Sequence, residues 1–290
     1  MPRTLTTWIA GALTAALALA LAAEAGAQSK PPTRAITQIR GDLYRFQNNF
    51  HFSVFLVTPE GVIATDPIDA DAATWLENEI RARFGQEIRY VVYSHDHRDH
   101  IAGGEVWEDT AVVVAHENAK QVIVGEKRPT AVPDITFTDR MTIELGGKRV
   151  ELHYPGRSHS DNLIVMHFPE ERTVFTVDFV SVGRLPYQNF PDSYMPDWID
   201  AIRFVEGLDF DILAPGHGPL GKKSDAAEHR AYIESLYRQV LSGARAGKTV
   251  EELKQTIDMA EFRGWGQYDA WLPLNIEGMY QRVQANRRGN

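Results

Sequence analysis

The sequence predicts a mixed α/β fold, of the α+β kind, in which two sheets pack together with helices outside. Three observations predict it. Short β-branched and aromatic runs, separated by turn residues, fill the chain from residue 43 to residue 65. A stretch with helical spacing of apolar residues then follows, and a second strand-rich half comes after it, before a helical tail. A sheet with one apolar face must bury that face, and two such halves do so most simply against each other.

Taken in order, a Pro-containing leader (Lys30 to Arg34) precedes the runs LYRFQ, FSVFLVT and VIATD, which read as an antiparallel meander. Between the last two, TPEG (Thr58 to Gly61) places Pro and Gly where a β-turn accommodates them. Ala73, Leu76, Ile80 and Phe84 recur at helical spacing. IRYVVYS is then a buried strand. Helices are expected near Ala102–Trp107 and His116–Val124, with the strand AVVVA between them. Strands follow at Met141–Leu145, Arg149–Tyr154, Leu163–His167 and Thr173–Val177, then a helix from Pro196 to Glu206 and a strand FDILA. The tail from Ser224 is helical, with Tyr232, Ile233, Leu236, Tyr237, Val240 and Leu241 on one stripe.

The first residues do not belong to this fold. Arg3 opens a short basic start, an apolar run extends from Trp8 to Ala22, and Ala25-Gly26-Ala27 is a small-residue cleavage pattern. Residues 1–27 therefore read as a secretory signal, and 28–290 as a single domain with a helical C-terminal tail and no stable membrane anchor once the signal is removed. The expected location is exported, periplasmic or secreted. The chain has no Cys, which leaves no disulfide and no thiolate ligand. With 30 Lys+Arg against 39 Asp+Glu, it lacks the basic balance of a nucleic-acid binder. The expected partner is a small-molecule substrate.

The strand IRYVVYS delivers HDHRDH, which holds three histidines and two aspartates in six residues. In an extended segment residues two apart point the same way, so His95 and His97 can reach one metal ion. Asp99 and His100 come after the chain turns and can face a neighbouring position. Imidazole and carboxylate suit Zn, and also Fe or Mn. The plainer alternative is a solvated polar loop, but such loops are filled with Ser, Gly, Asn and Lys.

HDHRDH resembles the H-x-H-x-D-H signature of the metallo-β-lactamase superfamily. Further motifs continue the resemblance in order: Asp66 closing GVIATD, His159 in YPGRSHSDN, Asp178 ending TVFTVD and His217 in ILAPGHGP. The resemblance covers most of the chain after the signal. It implies a four-layer αββα sandwich with its site at one edge, between the sheets. It further implies that His95, His97 and His159 hold one metal, that Asp99, His100 and His217 hold a second, that Asp178 bridges them and that Asp66 lies behind the ligands, where a carboxylate orients one.

Two zinc ions per chain are the expected cofactors. The chemistry that follows is hydrolysis by metal-bound hydroxide, with Asp99 and Asp178 as the catalytic carboxylates and no Ser or Cys nucleophile. The expected substrate is a small ester, lactone, thioester or amide. β-Lactam turnover is expected to be weak. By the same resemblance, dedicated zinc lactamases carry Cys where this chain has Asp178 and Lys where it has Ser181. The Asp bridge is more similar to glyoxalase II and lactonases. Pocket walls are expected from His51, Arg184, Tyr187 and Phe190, with Tyr194 and Trp198 beside them. Among the other histidines, His153 is expected to face solvent with Glu151, His116 to start a helix, His167 to be partly buried and satisfied, and His229 to lie on the polar side of the last helix. Two other readings stay open. One is a mononuclear iron persulfide dioxygenase-like oxidoreductase using His95, His159 and Asp178; the other is a non-catalytic accessory binding protein.

Overall fold

A computed structural model describes residues 31–285. The first sheet contains seven strands in sequence order: β1 Arg34–Arg40, β2 Leu43–Asn48, β3 His51–Thr58, β4 Gly61–Thr65, β5 Ile88–Val92, β6 Val112–His116 and β7 Ile135–Phe137. β1 to β4 form the antiparallel meander and β4 to β7 run parallel. The second sheet has six strands, ordered β13-β12-β11-β10-β9-β8. These are β8 Arg140–Leu145, β9 Lys148–His153, β10 Val165–Phe168, β11 Thr173–Val177, β12 Ile212–Pro215 and β13 Gly221–Lys222.

The parallel strands of the first sheet need crossovers. They are supplied by α1 Ala70–Phe84, a short α2 Arg98–Ile101 with the 3-10 turn Gly104–Trp107, and α3 Glu117–Glu126. α1 starts because the Asp69 side chain accepts from the Ala72 N–H at 2.7 Å, and it stops at Gly85, whose φ of 64° suits a residue without Cβ. Its buried face is Ala72, Ala73, Leu76 and Ile80, the spacing expected from the sequence. α4 Asp197–Gly207, α5 Lys223–Arg245, α6 Val250–Thr256 and α7 Tyr268–Ala285 belong to the second half.

Three apolar clusters make four layers. Leu56, Ile63, Val92, Leu152, Met166 and Phe175 meet between the sheets. Phe55, Val91, Leu76 and Trp107 join the first sheet to its helices. Val165, Leu213, Trp198, Ile202, Tyr232, Leu236 and Met279 join the second sheet to its helices. Each fully buried large apolar side chain contributes roughly 1.5–3 kcal/mol. The predicted αββα sandwich is the fold observed.

Several elements were not legible. β1 escaped because a bulge between Gln38 and Arg40 breaks its alternation. β7, β13 and α6 are too short, at 3, 2 and 7 residues, to carry a period. Two histidines are placed differently from expectation. His229 is fully buried, and its spacing with Ala226, Ile233, Leu236 and Val240 puts it on the apolar stripe of α5. His153 is half-buried beneath Phe204 of α4, whose ring centre is 5.5 Å away, because this face of the second sheet is covered rather than solvated. The Ala27 cleavage pattern lies outside the described residues. No helix among the described residues is long and apolar enough to cross a membrane.

Candidate metal centre

The site is assembled where strands end. β5 runs into Tyr93, Ser94 and His95; β11 runs into Asp178; β12 runs into Gly216 and His217; the loop after β9 brings His159. The extended segment at His95 and the helix start at His97 leave the two rings 4.3 Å apart, as their spacing predicts. Close packing keeps this loop in place. Gly103, with φ of 86°, sits where an added Cβ would lie 2.3 Å from the backbone nitrogen of Ala70, so the histidine loop presses onto the start of α1.

Two groups of ligand-type atoms result, each within 4.8 Å of one another: His95, His97, His159 and Asp178, and then Asp99, His100, Asp178 and His217. Asp178 belongs to both. Its Oδ2 lies 3.3 Å from His100 Nε2 and 3.7 Å from His159 Nε2, and its Oδ1 lies 3.3 Å from His217 Nε2. Asp99 Oδ2 stands 3.6 Å from both His100 Nε2 and His217 Nε2, and 3.3 Å from His51 Nε2. Asp66 is fully buried behind the site, 3.5 Å from His100 Nδ1, and its other oxygen accepts from the Ser94 N–H at 2.8 Å.

The residues present fit metal ions. His95 Nε2 and His100 Nε2 are buried without any hydrogen-bond partner, which is costly unless something coordinates them. The outer ring nitrogens are held: Ser94 Oγ is 2.9 Å from His95 Nδ1, Asp192 Oδ2 is 2.7 Å from His97 Nε2, and the Phe50 carbonyl is 2.9 Å from His217 Nδ1. Such partners orient a ligating imidazole and set its tautomer. Electrostatics agree. Burial alone would raise the Asp178 carboxyl, but the His100 and His217 charges outweigh it and hold it well below the usual carboxylate range. Burial pushes His159 down to about 4 and lowers His95, so both offer neutral nitrogens. Burial also opposes charge on His97 and His100, yet Asp192 and Asp178 respectively raise them.

A cleft of about 760 Å³ opens over these groups. Its walls include His51, Arg184 and Tyr187, together with Phe50, Gln267 and Trp271. The Arg184 guanidinium lies over the Trp271 ring at 4.7 Å. Phe190 is a correction: it is 1% exposed and packs edge-on against Trp198 with ring centres 6.0 Å apart, inside the helical layer. Trp198 is likewise interior, donating from Nε1 to the Phe179 carbonyl, and Tyr194 lies under Arg157 instead of in the cleft. The aromatic stretch is thus divided between core and cleft.

Sequence reasoning missed four contributors. Asp192 orients His97 from a distant loop. Asp96, an unassigned position inside the histidine motif, accepts from Asn162 and Arg128 and ties the histidine loop to the His159 loop. The 266–271 segment joins the cleft because Gly266 pairs with the backbone of Gly183 and Leu185. Buried Asn275 on α7 donates to the Pro186 and Gln188 carbonyls, fixing the loop that carries Tyr187. No local signal marks any of these; they depend on residues far apart in the chain.

Comparison with known proteins accords with this geometry. The chain is 28% identical over 191 residues to 2,4-dinitroanisole O-demethylase subunit alpha of Nocardioides sp. (strain JS1661), a match spanning 64% of this chain and 58% of that protein's length. It is 22% identical over 236 residues to the metallo-beta-lactamase type 2 of Elizabethkingia meningoseptica, covering 77% of this chain and 94% of that one. Among solved structures, a metallo-beta-lactamase from Pontibacter korlensis superposes with a TM-score of 0.64 at 21% identity, over 70% of this chain and 99% of that one. The mono-zinc form of FIM-1 from Pseudomonas aeruginosa gives the same TM-score, 0.64, at 18% identity, over 72% and 98% of the two chains. The family model described as the metallo-beta-lactamase superfamily matches residues 52–217, the span from β3 to the last histidine of the cluster, and the chain belongs to that superfamily.

Proposed function

We propose that this chain is an exported dinuclear zinc hydrolase acting on a small ester, lactone, thioester or amide. One observation carries the reading: Asp178 is common to two ligand groups that together contain five histidines and two aspartates. A mononuclear dioxygenase would use His95, His159 and Asp178, and would leave Asp99, His100 and His217 without a task. The superfamily consists in general of metal-dependent hydrolases, which agrees. The signal-like residues 1–27 support export to the periplasm or beyond.

Zinc in the two groups would supply Lewis acidity and a water acidified toward a pKa of ~7. The chain's own residues do the rest. His95, His97 and His159 would hold one ion and Asp99, His100 and His217 the other, with Asp178, common to both groups, as the shared carboxylate. Asp99 lines the cleft 3.3 Å from His51, where its carboxylate would hold the second ion and could accept a proton. Asp66 holds His100 in orientation from behind. Arg184 receives the anionic end of a substrate, and Phe50, Tyr187 and Trp271 receive its apolar part. Ser181 lines the same cleft and brings no charge, so binding of an anionic drug rests on Arg184 alone, and β-lactam turnover is slow.

A second reading has a specific support. The Nocardioides relative is named for a demethylation of 2,4-dinitroanisole, an aromatic ether, and the aromatic walls of this cleft suit a small aromatic compound. The test is metal content followed by turnover. The purified protein is expected to hold two zinc ions and to hydrolyse members of an ester, lactone and thioester panel faster than a cephalosporin or 2,4-dinitroanisole. One iron per chain with oxygen consumption would replace the hydrolase by the dioxygenase. Absence of any metal uptake would leave a binding protein.

A further inference from the structure

A third cluster of ligand-type atoms lies away from the cleft. Glu151, His153 and His167 each offer one atom, all within 4.8 Å of one another. The sheet places them. Glu151 and His153 are two apart on β9 and share a face, and the register sets His167 of β10 directly opposite Glu151. The same face carries Val165, which belongs to the cluster beneath the helices, so these groups point toward α4 and away from the other sheet. Phe204 covers His153, and the chain leaving α4 supplies the Asp209 carbonyl.

One atom of this cluster, His153 Nε2, is buried without a hydrogen-bond partner, and a metal ion would give it one. His167 meets two acceptors: the Asp209 carbonyl is 3.1 Å from Nε2, and Glu151 Oε2 is 3.1 Å from Nδ1. A neutral imidazole has a single N–H. With Nε2–H donating to the carbonyl, Nδ1 faces the carboxylate oxygen across a gap that either a second proton or a metal ion would fill. His153 Nε2 approaches the same Oε2 at 3.7 Å and is buried without a hydrogen-bond partner. Two ring nitrogens and one carboxylate oxygen therefore converge. Ligand atoms about 2.1 Å from a tetrahedral ion stand roughly 3.4 Å apart, between the two distances found here. The His167 contact to a backbone carbonyl is the outer bond a ligating histidine ordinarily makes. Arg149 Nε lies 3.7 Å from Oε1, the other carboxylate oxygen, and leaves Oε2 directed inward. Arg140, opposite His153 in the register, is the other nearby cation.

We propose that Glu151, His153 and His167 form a separate mononuclear site for a divalent transition-metal ion, completed by water. It clamps β9 to β10 and, through Asp209, to the turn before β12. Its ligands are two imidazoles and one carboxylate, which suit zinc, nickel or iron(II) and disfavour magnesium or calcium. The site does not depend on how many ions the cleft holds, because its test is a difference between proteins that share the cleft.

The experiment uses the purified protein, stripped with a chelator and dialysed to equilibrium against a fixed low concentration of free zinc. Elemental analysis is expected to find one zinc ion per chain fewer in H153Q and in E151Q than in the unaltered protein, with turnover at the cleft unchanged. Crystals grown with zinc should show an anomalous peak among Glu151 Oε2, His153 Nε2 and His167 Nδ1. Equal zinc counts in all three proteins, or crystals with zinc in the cleft and none between β9 and β10, overturn the proposal.

Discussion

The two groups of ligand-type side chains in the cleft are built differently. On one side, His95 and His159 are buried, and the rings of His95 and His97 are held from behind by Ser94 and Asp192. On the other, His100 is fully buried, but the Asp99 side chain is 50% exposed and His217 is 26% exposed at the mouth. Both groups line the cleft and both have rings held from behind, with His97 23% and His217 26% exposed; what separates them is Asp99, the most exposed ligand-type side chain, which belongs to the second, outer group alone. Preorganised ligands bind an ion with less ordering cost, while an exposed ligand is free to exchange it. The inner ion should therefore be the tighter one and the outer ion the one that meets substrate.

The largest effect should come from the residue the two positions share. Asp178→Asn is expected to lower turnover by ~10³-fold or more, equivalent to about 4 kcal/mol of barrier, and to weaken both ions. Loss of one ion only would show that Asp178 belongs to a single position. Next, Asp99→Ala should release the outer ion, keep the inner one and reduce turnover by ~10²-fold. Turnover near that of the unaltered protein would mean that one ion suffices. Asp192→Asn tests the opposite side: the inner ion should be held ~10–100-fold less tightly, as for loss of a partner behind a ligating histidine. An unchanged inner affinity measured by competition with a chelator would mean that Asp192 does not orient His97 for the ion.

Smaller effects sharpen the contrast between site histidines and His229, which burial alone holds down to about 3. Its folded pKa lies below the unfolded value of about 6.5, so the unfolded chain binds the extra proton. Stability is unaffected above that value and falls as pH drops from about 6.5 toward 3. Between pH 7 and 5, the protein should lose about 2 kcal/mol more than His229→Met does, measured by denaturant unfolding at each pH. Identical losses would mean that His229 finds a partner. Finally, Arg184→Ala should raise KM for an anionic substrate several-fold, on the order of 1 kcal/mol, with kcat little changed. The same change should leave a neutral ester unaffected.

How much could be read in advance follows from the same division. His95, His97, Asp99, His100, His159, Asp178 and His217 were all legible because each belongs to its own local motif, on the segments that follow β5, β9, β11 and β12. Their convergence requires only that the strands be neighbours. His229 was legible in principle, since its 3–4 spacing with Ala226 and Ile233 is that of the buried stripe; its polarity misdirected the reading. Phe190 and Tyr187 illustrate the opposite case. They are three residues apart in one aromatic loop, yet one is in the core and the other is 65% exposed at the cleft. No period distinguishes them.

Local patterns in the chain specify the two strand-rich halves, the α1 stripe, and the chemical identity and order of the cluster that can hold metal. These depend on local spacing, and local spacing is written in the chain. Folding over long range is what lets Asp192 support His97, Asn275 anchor the Tyr187 loop, Trp271 from the last helix lie beneath Arg184, and His167 join Glu151 and His153 on one face. Each of these requires residues brought together by the pairing of strands or the packing of a helix across a loop. Such contacts are selected by burial and shape over the whole molecule, and no local pattern encodes them.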